Sequence, residues 1–206
     1  EDKLGNQRTL TDKELRKKMG VAALEKKTSK VTEVCGGRSH TVILTAAGKV
    51  YTCGRSNRGQ TGQGDDQTRL IVTAIPSMIN LSCVQIAAGD EHTVMLTTLG
   101  HVYVCGKNDT GQLGDGTLDD SFIPKTLQPI ITPEDKKTKS QYMLKEMRRH
   151  PMFDVIVEQV YAASASTFAV ETGGEKVYVC GSGAYGHPFE RHPTDFSALL
   201  KLKLDA

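Results

Sequence analysis

No stretch of this 206-residue chain approaches the ~18 consecutive apolar residues of a membrane-spanning helix, and no charged-then-apolar leader pattern opens it. The expectation is a chain without a membrane partner. Its five cysteines include no Cys-x-x-Cys pair and no nearby Cys/His pair at ligand spacing, which argues against a zinc site. An odd cysteine count without paired spacing points to a reducing intracellular compartment: cytosol, nucleus or organelle matrix. No Gly-Lys-Ser/Thr phosphate loop, nucleophile-base-orienter set or paired acid and base stands out, so the expectation is a non-enzyme without a cofactor. A net charge of only +2 gives no general nucleic-acid signature.

What the chain has in abundance is glycine, 20 residues, gathered in the loops of a repeat. Val50-Tyr51-Thr52-Cys53-Gly54 returns as Val102-Tyr103-Val104-Cys105-Gly106 and as Val177-Tyr178-Val179-Cys180-Gly181. The first two copies extend upstream, where Gly37-Arg38-Ser39-His40-Thr41-Val42 matches Gly89-Asp90-Glu91-His92-Thr93-Val94 at the same offset of 52, and downstream to Gly59-Gln60-Thr61-Gly62 and Gly111-Gln112-Leu113-Gly114. The third copy is degenerate. At the offset of 75 set by its Val-Tyr-Val-Cys-Gly phrase, Thr167 falls where the others have His, and His187-Pro188-Phe189 replaces Gln-x-Gly after Gly186. A period near 50 residues indicates a propeller blade or a solenoid unit.

Within a repeat the pattern is that of strands. His40–Thr45 and Lys49–Cys53 are short β-branched, apolar runs joined by the tight Ala46-Ala47-Gly48 connection, which predicts a hairpin. Thr97-Thr98-Leu99-Gly100 and Glu171-Thr172-Gly173-Gly174 occupy the same place. Residues 81–88 and 157–162 supply strands before the hairpins, and Pro124-Lys125-Thr126-Leu127 one after, giving a four-stranded blade.

These residues resemble the repeat of the regulator of chromosome condensation (RCC1-like) β-propellers, over roughly residues 31–206. The expected fold is all-β: a partial, open or trimmed RCC1-like propeller of about three four-stranded blades, at 31–80, 81–130 and 155–206. Members of that family close a ring of, typically, seven blades, so three blades imply a partial ring completed by more of the same polypeptide or by another chain. By itself the segment is expected to aggregate, oligomerise or need a companion. Two additions flank this core. Residues 1–30 carry nine Lys/Arg against five Asp/Glu and read as a basic helical extension. Residues 131–153 read as a basic helical insertion projecting after the second blade, with Tyr142, Lys145, Arg148 and Arg149 as candidate partner-binding residues.

The repeated His40 and His92 read as structural, because a catalytic group is needed once whereas a residue recurring in successive blades solves a problem every blade has. Gly54, Gly106 and Gly181 read likewise as structural repeat positions. The cysteines before them read as small buried apolar residues. For function the resemblance leaves three readings. The first is a non-catalytic protein-interaction module or scaffold within a larger protein or assembly. The second is a guanine-nucleotide exchange factor for a small Ran-like GTPase, which requires an acidic face; Asp65, Asp66, Asp115, Asp119 and Asp120 lie in loops after the Gly-Gln turns. The third is an organelle or ribonucleoprotein assembly factor contacting RNA through the basic helices.

Overall fold

A computed structural model describes residues 30–128, 136, 139, 140, 143, 145, 152–174 and 176–182. Among the described residues eleven strands form three antiparallel meanders. The first blade runs β1 (Val31–Gly36), β2 (His40–Thr45), β3 (Val50–Gly54) and β4 (Arg69–Ala74), and the second β5 (Cys83–Ala88), β6 (His92–Thr97), β7 (Val102–Gly106) and β8 (Ser121–Thr126). Of the third blade, β9 (Val157–Ala163), β10 (Ser166–Glu171) and β11 (Val177–Gly181) lie among the described residues. Residues 183–206 of the blade expected at 155–206 lie outside them. Val50, Val102 and Val177 open the equivalent strands β3, β7 and β11.

The strand alternation is a direct consequence of stacking. In β6 every residue is buried, because the second blade is covered on both faces. Val94 and Leu96 join β9 and β10 residues in one apolar core, while Met95 points the other way into a second core with Val42, Leu44 and Ile86. In β2 the burial alternates instead: Val42 and Leu44 are buried against the second blade, while Thr41 and Ile43 are half-exposed. Each fully buried Met or Leu contributes roughly 1.5–3 kcal/mol, so the cores lie between blades rather than within any one sheet.

One recurring backbone position explains the end of the repeated phrase. Gly54, Gly106 and Gly181 have φ of 104°, 116° and 110°, and the first two sit where the pairing with the outermost strand shifts register. A Cβ at Gly54 would fall on the Ser39 carbonyl, so only glycine closes that corner.

The register corrects the alignment of the third repeat. Thr41 faces Cys53, Thr93 faces Cys105 and Thr167 faces Cys180. Thr167 therefore occupies the position of Thr41 and Thr93, and Ser166, opposite Gly181, occupies the position of His40 and His92. The one-residue slip arises in the hairpin, since Glu171 to Val177 holds one residue more than Thr97 to Val102.

The expected helical additions fall largely outside the described residues. Helix is nearly absent from the described residues: a single 3-10 turn at Pro76–Met78, and helical backbone at Lys136, Met143 and Lys145. Residues 1–29 lie outside the described set, so the expected N-terminal helix does too. The end of the 131–153 segment does not project. Met152 is buried, and with Val155 it enters the core between the second and third blades, because its apolar thioether finds Leu96 and Val102 there rather than water.

Candidate functional site

The two recurrent histidines each reach across a blade boundary. His40, on the first blade, places Nε2 2.9 Å from Thr93 Oγ1 on the second, and Thr93 Oγ1 donates onward to the Gln60 carbonyl at 2.7 Å, back on the first blade. His92 repeats the arrangement one blade on: its Nε2 is 3.0 Å from Thr167 Oγ1, which donates to the Gln112 carbonyl at 2.8 Å. Since each hydroxyl hydrogen is spent on a carbonyl, each threonine oxygen must accept from histidine, which fixes the Nε2–H tautomer.

Nδ1 of both rings is then an unprotonated, buried acceptor, and neither has a hydrogen-bond partner among the described residues. Burial pushes His40 down to about 4, with the Glu91 carboxylate and the His92 backbone pulling weakly the other way. Burial likewise pushes His92 down to about 4, and His40 adds to the effect. Both rings are neutral clasps at neutral pH, and the hydroxyl each one touches is committed to a main-chain carbonyl.

The glycines three residues earlier make room for the rings. A Cβ at Gly37 would fall on His40 Cε1, and one at Gly89 on His92 Cε1. The third blade has Ala163 at this position and Ser166 in place of the ring; Ser166 Oγ turns to the Ser182 carbonyl of its own blade. Histidine and glycine are absent together from this blade.

The Gly-Gln turns are the other half of the clasp. Gln60 Oε1 accepts from the Arg58 N–H at 2.9 Å, and Gln112 Oε1 accepts from the Thr110 N–H at 3.0 Å, so each buried side chain braces its own turn and leaves the main-chain carbonyl aimed at the neighbouring blade. Cys180 Sγ donates to the same Gln112 carbonyl at 3.3 Å. Burial pushes the Cys105 and Cys180 thiols up to about 12 and Cys83 to about 11, which leaves them unreactive at neutral pH. Cys53, at the same repeat position in the first blade, is half-buried.

The loop acids divide into two groups. Asp120 pairs with Arg58 of the preceding blade at 2.9 Å and accepts from the Asn108 N–H; Asn108 Nδ2 also donates to Asp115 at 3.1 Å. Burial would raise the Asp115 carboxyl, but hydrogen bonds from Thr117 and Lys125 outweigh it and hold it below the usual range. Asp65 is held low by Arg69, 2.6 Å away, and by the Gln67 N–H. Asp66 and Asp119 are exposed. Lys145 is exposed, whereas Tyr142, Arg148 and Arg149 lie outside the described residues. Sequence reasoning missed Thr93, Thr167 and Asn108. The repeated His-Thr dipeptide was the available signal for the first; Asn108 joins Asp115 and Asp120 only through the folded loop.

The outermost strands of the first two blades differ in chemistry. On β8, Pro124 removes a donor and Lys125 adds a charge, while β4 presents Leu70 at 91% exposure and Ile71 at 77%. Among the described residues no group of three metal-ligating side chains assembles.

Comparison with known proteins matches two family models, both described as "Regulator of chromosome condensation (RCC1) repeat", one over residues 31–60 and 83–112, the other over 47–96 and 100–139. An "Inhibitor of Bruton tyrosine kinase" from Xenopus laevis is 30% identical over 164 residues, covering 78% of this chain and 11% of the relative. A "Secretion-regulating guanine nucleotide exchange factor" from Bos taurus is 34% identical over 84 residues, 41% of this chain and 18% of the relative. The crystal structure of human WBSCR16 superposes with a TM-score of 0.58 at 20% identity, over 74% of this chain and 33% of that one. The chain thus spans a tenth to a third of the length of these proteins.

Proposed function

The chain belongs to the regulator of chromosome condensation (RCC1) repeat family, and from that premise we propose that it is a non-catalytic protein-interaction module within a larger protein or assembly. One observation carries this reading. The groups with chemical capacity, His40, His92, Cys105, Cys180, Asp115 and Asp120, are consumed in holding blades and loops together, while the outer edge of the first blade leaves Leu70, Ile71 and Val72 in water beside the exposed Asp66. An apolar strip next to an acidic loop suits a protein partner with an apolar patch and a basic rim. Asp119 and Lys145 are exposed as well. The five free thiols, of which only Cys83 and Cys105 are buried, fit a reducing compartment.

The test is partner capture by the full chain with mass spectrometry, repeated with Leu70→Glu/Ile71→Glu and with Asp66→Lys. Loss of the same partners at an unchanged melting temperature supports the reading, and undiminished capture refutes it. A second reading, guanine-nucleotide exchange on a small GTPase, draws on the bovine relative's name. It would have to act through Asp66 and Asp119, because Asp65, Asp115 and Asp120 are already paired. Accelerated nucleotide release from a small GTPase by the full chain is its direct assay. The RNA-contacting reading rests on basic segments largely outside the described residues.

A further inference from the structure

The first and second blades carry opposite charge at one pair of turns. The turn before β2 reads Arg38-Ser39 where the turn before β6 reads Asp90-Glu91, and the chain leaving β3 reads Arg55-Ser56-Asn57 where that leaving β7 reads Lys107-Asn108-Asp109. These positions correspond in space as well as in sequence, because the Arg55 N–H donates to the Ser39 carbonyl at 2.8 Å and the Lys107 N–H to the Glu91 carbonyl at 2.9 Å. In the second blade the cation is consumed where it stands. Lys107 Nζ lies 3.1 Å from Asp109 Oδ2 and 3.3 Å from Glu91 Oε2, and the two carboxylates, Asp109 foremost, hold the ammonium above its ordinary range.

The first blade keeps the cation and lacks both acids. Ser39 stands where Glu91 does, Asn57 where Asp109 does, and a further cation, Arg38, replaces Asp90. Arg38, Ser39, Arg55 and Asn57 are all exposed. Among the described residues neither guanidinium is ion-paired and nothing bonds Ser39 Oγ, while Asn57 Oδ1 accepts from Gln60 Nε2 at 3.4 Å, which spends the acceptor end of that amide. Arg58, the other cation of this loop, is taken by Asp120. One corner therefore gathers two guanidiniums, a hydroxyl and a carboxamide nitrogen, all able to donate, at the positions where the second blade supplies its own carboxylates.

We propose that this corner is a docking site for a short acidic segment of a protein partner, whose Asp or Glu carboxylates are taken by Arg38 and Arg55 with Ser39 and Asn57 donating beside them. The second blade shows the contact in cis, and planar guanidinium forks suit carboxylates better than the Lys107 ammonium does. A polynucleotide fits less well. The Arg38 N–H bonds the Asp90 carbonyl at 2.8 Å, so a phosphate backbone continuing past Arg38 meets the exposed Asp90 at once and then the acids of the second blade. A second copy of this chain offers no free acidic run either: Glu91 and Asp109 hold Lys107, Asp120 holds Arg58 and Asp65 holds Arg69. The inference rests on the reading of the chain as an interaction module, but not on the outer strip at Leu70 and Ile71.

The experiment titrates the full chain into a fluorescein-labelled peptide, Gly-Asp-Glu-Asp-Glu-Gly, and follows anisotropy at low and at physiological salt. The neutral peptide Gly-Asn-Gln-Asn-Gln-Gly and a labelled single-stranded RNA of equal charge serve as comparators. Saturable binding of the acidic peptide is expected, with no binding of the neutral one. Arg38→Glu/Arg55→Glu should weaken it about tenfold or more at an unchanged melting temperature, since two charge-assisted contacts are lost. Ser39→Glu, which gives Arg55 the counterion that Glu91 gives Lys107, should weaken it about threefold. Leu70→Glu/Ile71→Glu should bind the peptide as the unaltered chain does, so that failure of the outer strip as a partner surface and failure of this site are read separately. Absence of saturable binding, equal binding of the neutral peptide, undiminished binding by the double arginine variant, or tighter binding of the RNA would each overturn the proposal. So would a dimer in sedimentation that the arginine variant abolishes, because the occupant would then be a second copy.

Discussion

The second and third blades are built alike up to one pair of residues, His92-Thr93 against Ser166-Thr167. Thr93 and Thr167 do the same work, each accepting from a histidine of the blade before and giving to that blade's Gly-Gln carbonyl. His92 and Ser166 do not: the first reaches forward to the next blade, and the second bonds the Ser182 carbonyl of its own. The third repeat thus has the receiving threonine but not the giving histidine, and with the ring the glycine that makes room for it is absent, since Ala163 stands where Gly89 does, although Gln159 still stands where Glu33 and Gln85 do. A blade in this fold is two interfaces back to back, and a repeat that looks uniformly degenerate in sequence can be intact on one side.

The sharpest way to break this comparison is to exchange the small residues. In Gly89→Ala the new Cβ would land on the His92 ring and close to the Ser164 carbonyl, neither of which can retreat within a filled junction, so destabilisation by about 3 kcal/mol or more is expected in thermal unfolding. Ala163→Gly, with no ring to admit, should cost well under half as much, at about 1 kcal/mol. Equal effects would mean that the glycine serves its own backbone and not the clasp.

Next in size is removal of the shared hydroxyl. Thr93→Val or Thr167→Val leaves a buried imidazole N–H and a carbonyl facing a methyl group, and each should lower stability by about 1–3 kcal/mol in chemical denaturation. Thr41→Val, whose hydroxyl meets no described partner, should change little.

A smaller and graded effect is expected from pH. Both histidines have folded values near 4, below the ordinary 6.5, so the unfolded chain binds more protons between those values and stability falls as pH drops from about 6.5 toward 4. Above 6.5 the contribution is fully present. On the order of 2 kcal/mol per histidine should be lost by pH 5, read as a falling melting temperature. The double variant His40→Asn/His92→Asn should flatten that slope. An unchanged slope would place the titrating groups elsewhere.

Much of the fold was legible because strand alternation and turn glycines are local: the hairpins at 40–54 and 92–106 and their return at 166–181 follow from short β-branched runs and Gly48, Gly100 and Gly174. The structural role of His40 and His92 was legible from recurrence alone. Their partners were not, since His40 and Thr93 are 53 residues apart and meet only when two blades stack. The third repeat misled because its loudest phrase, Val177–Gly181, lies beyond a longer turn, and the offset it sets is one residue off for β10. The helical insertion was overdrawn at its end because an apolar residue among basic ones looks amphipathic until a core such as that around Met152 claims it.

The central claim is that each histidine is coupled to the threonine of the next blade, and a double-mutant cycle measures it most directly. Stability would be determined for His92→Ala, Thr167→Val and both together, with His40→Ala and Thr167→Val as the control pair. The account requires a coupling of about 1 kcal/mol or more for His92 with Thr167 and additivity for the control pair, whose members share no hydrogen bond. Additivity in both cycles would contradict it.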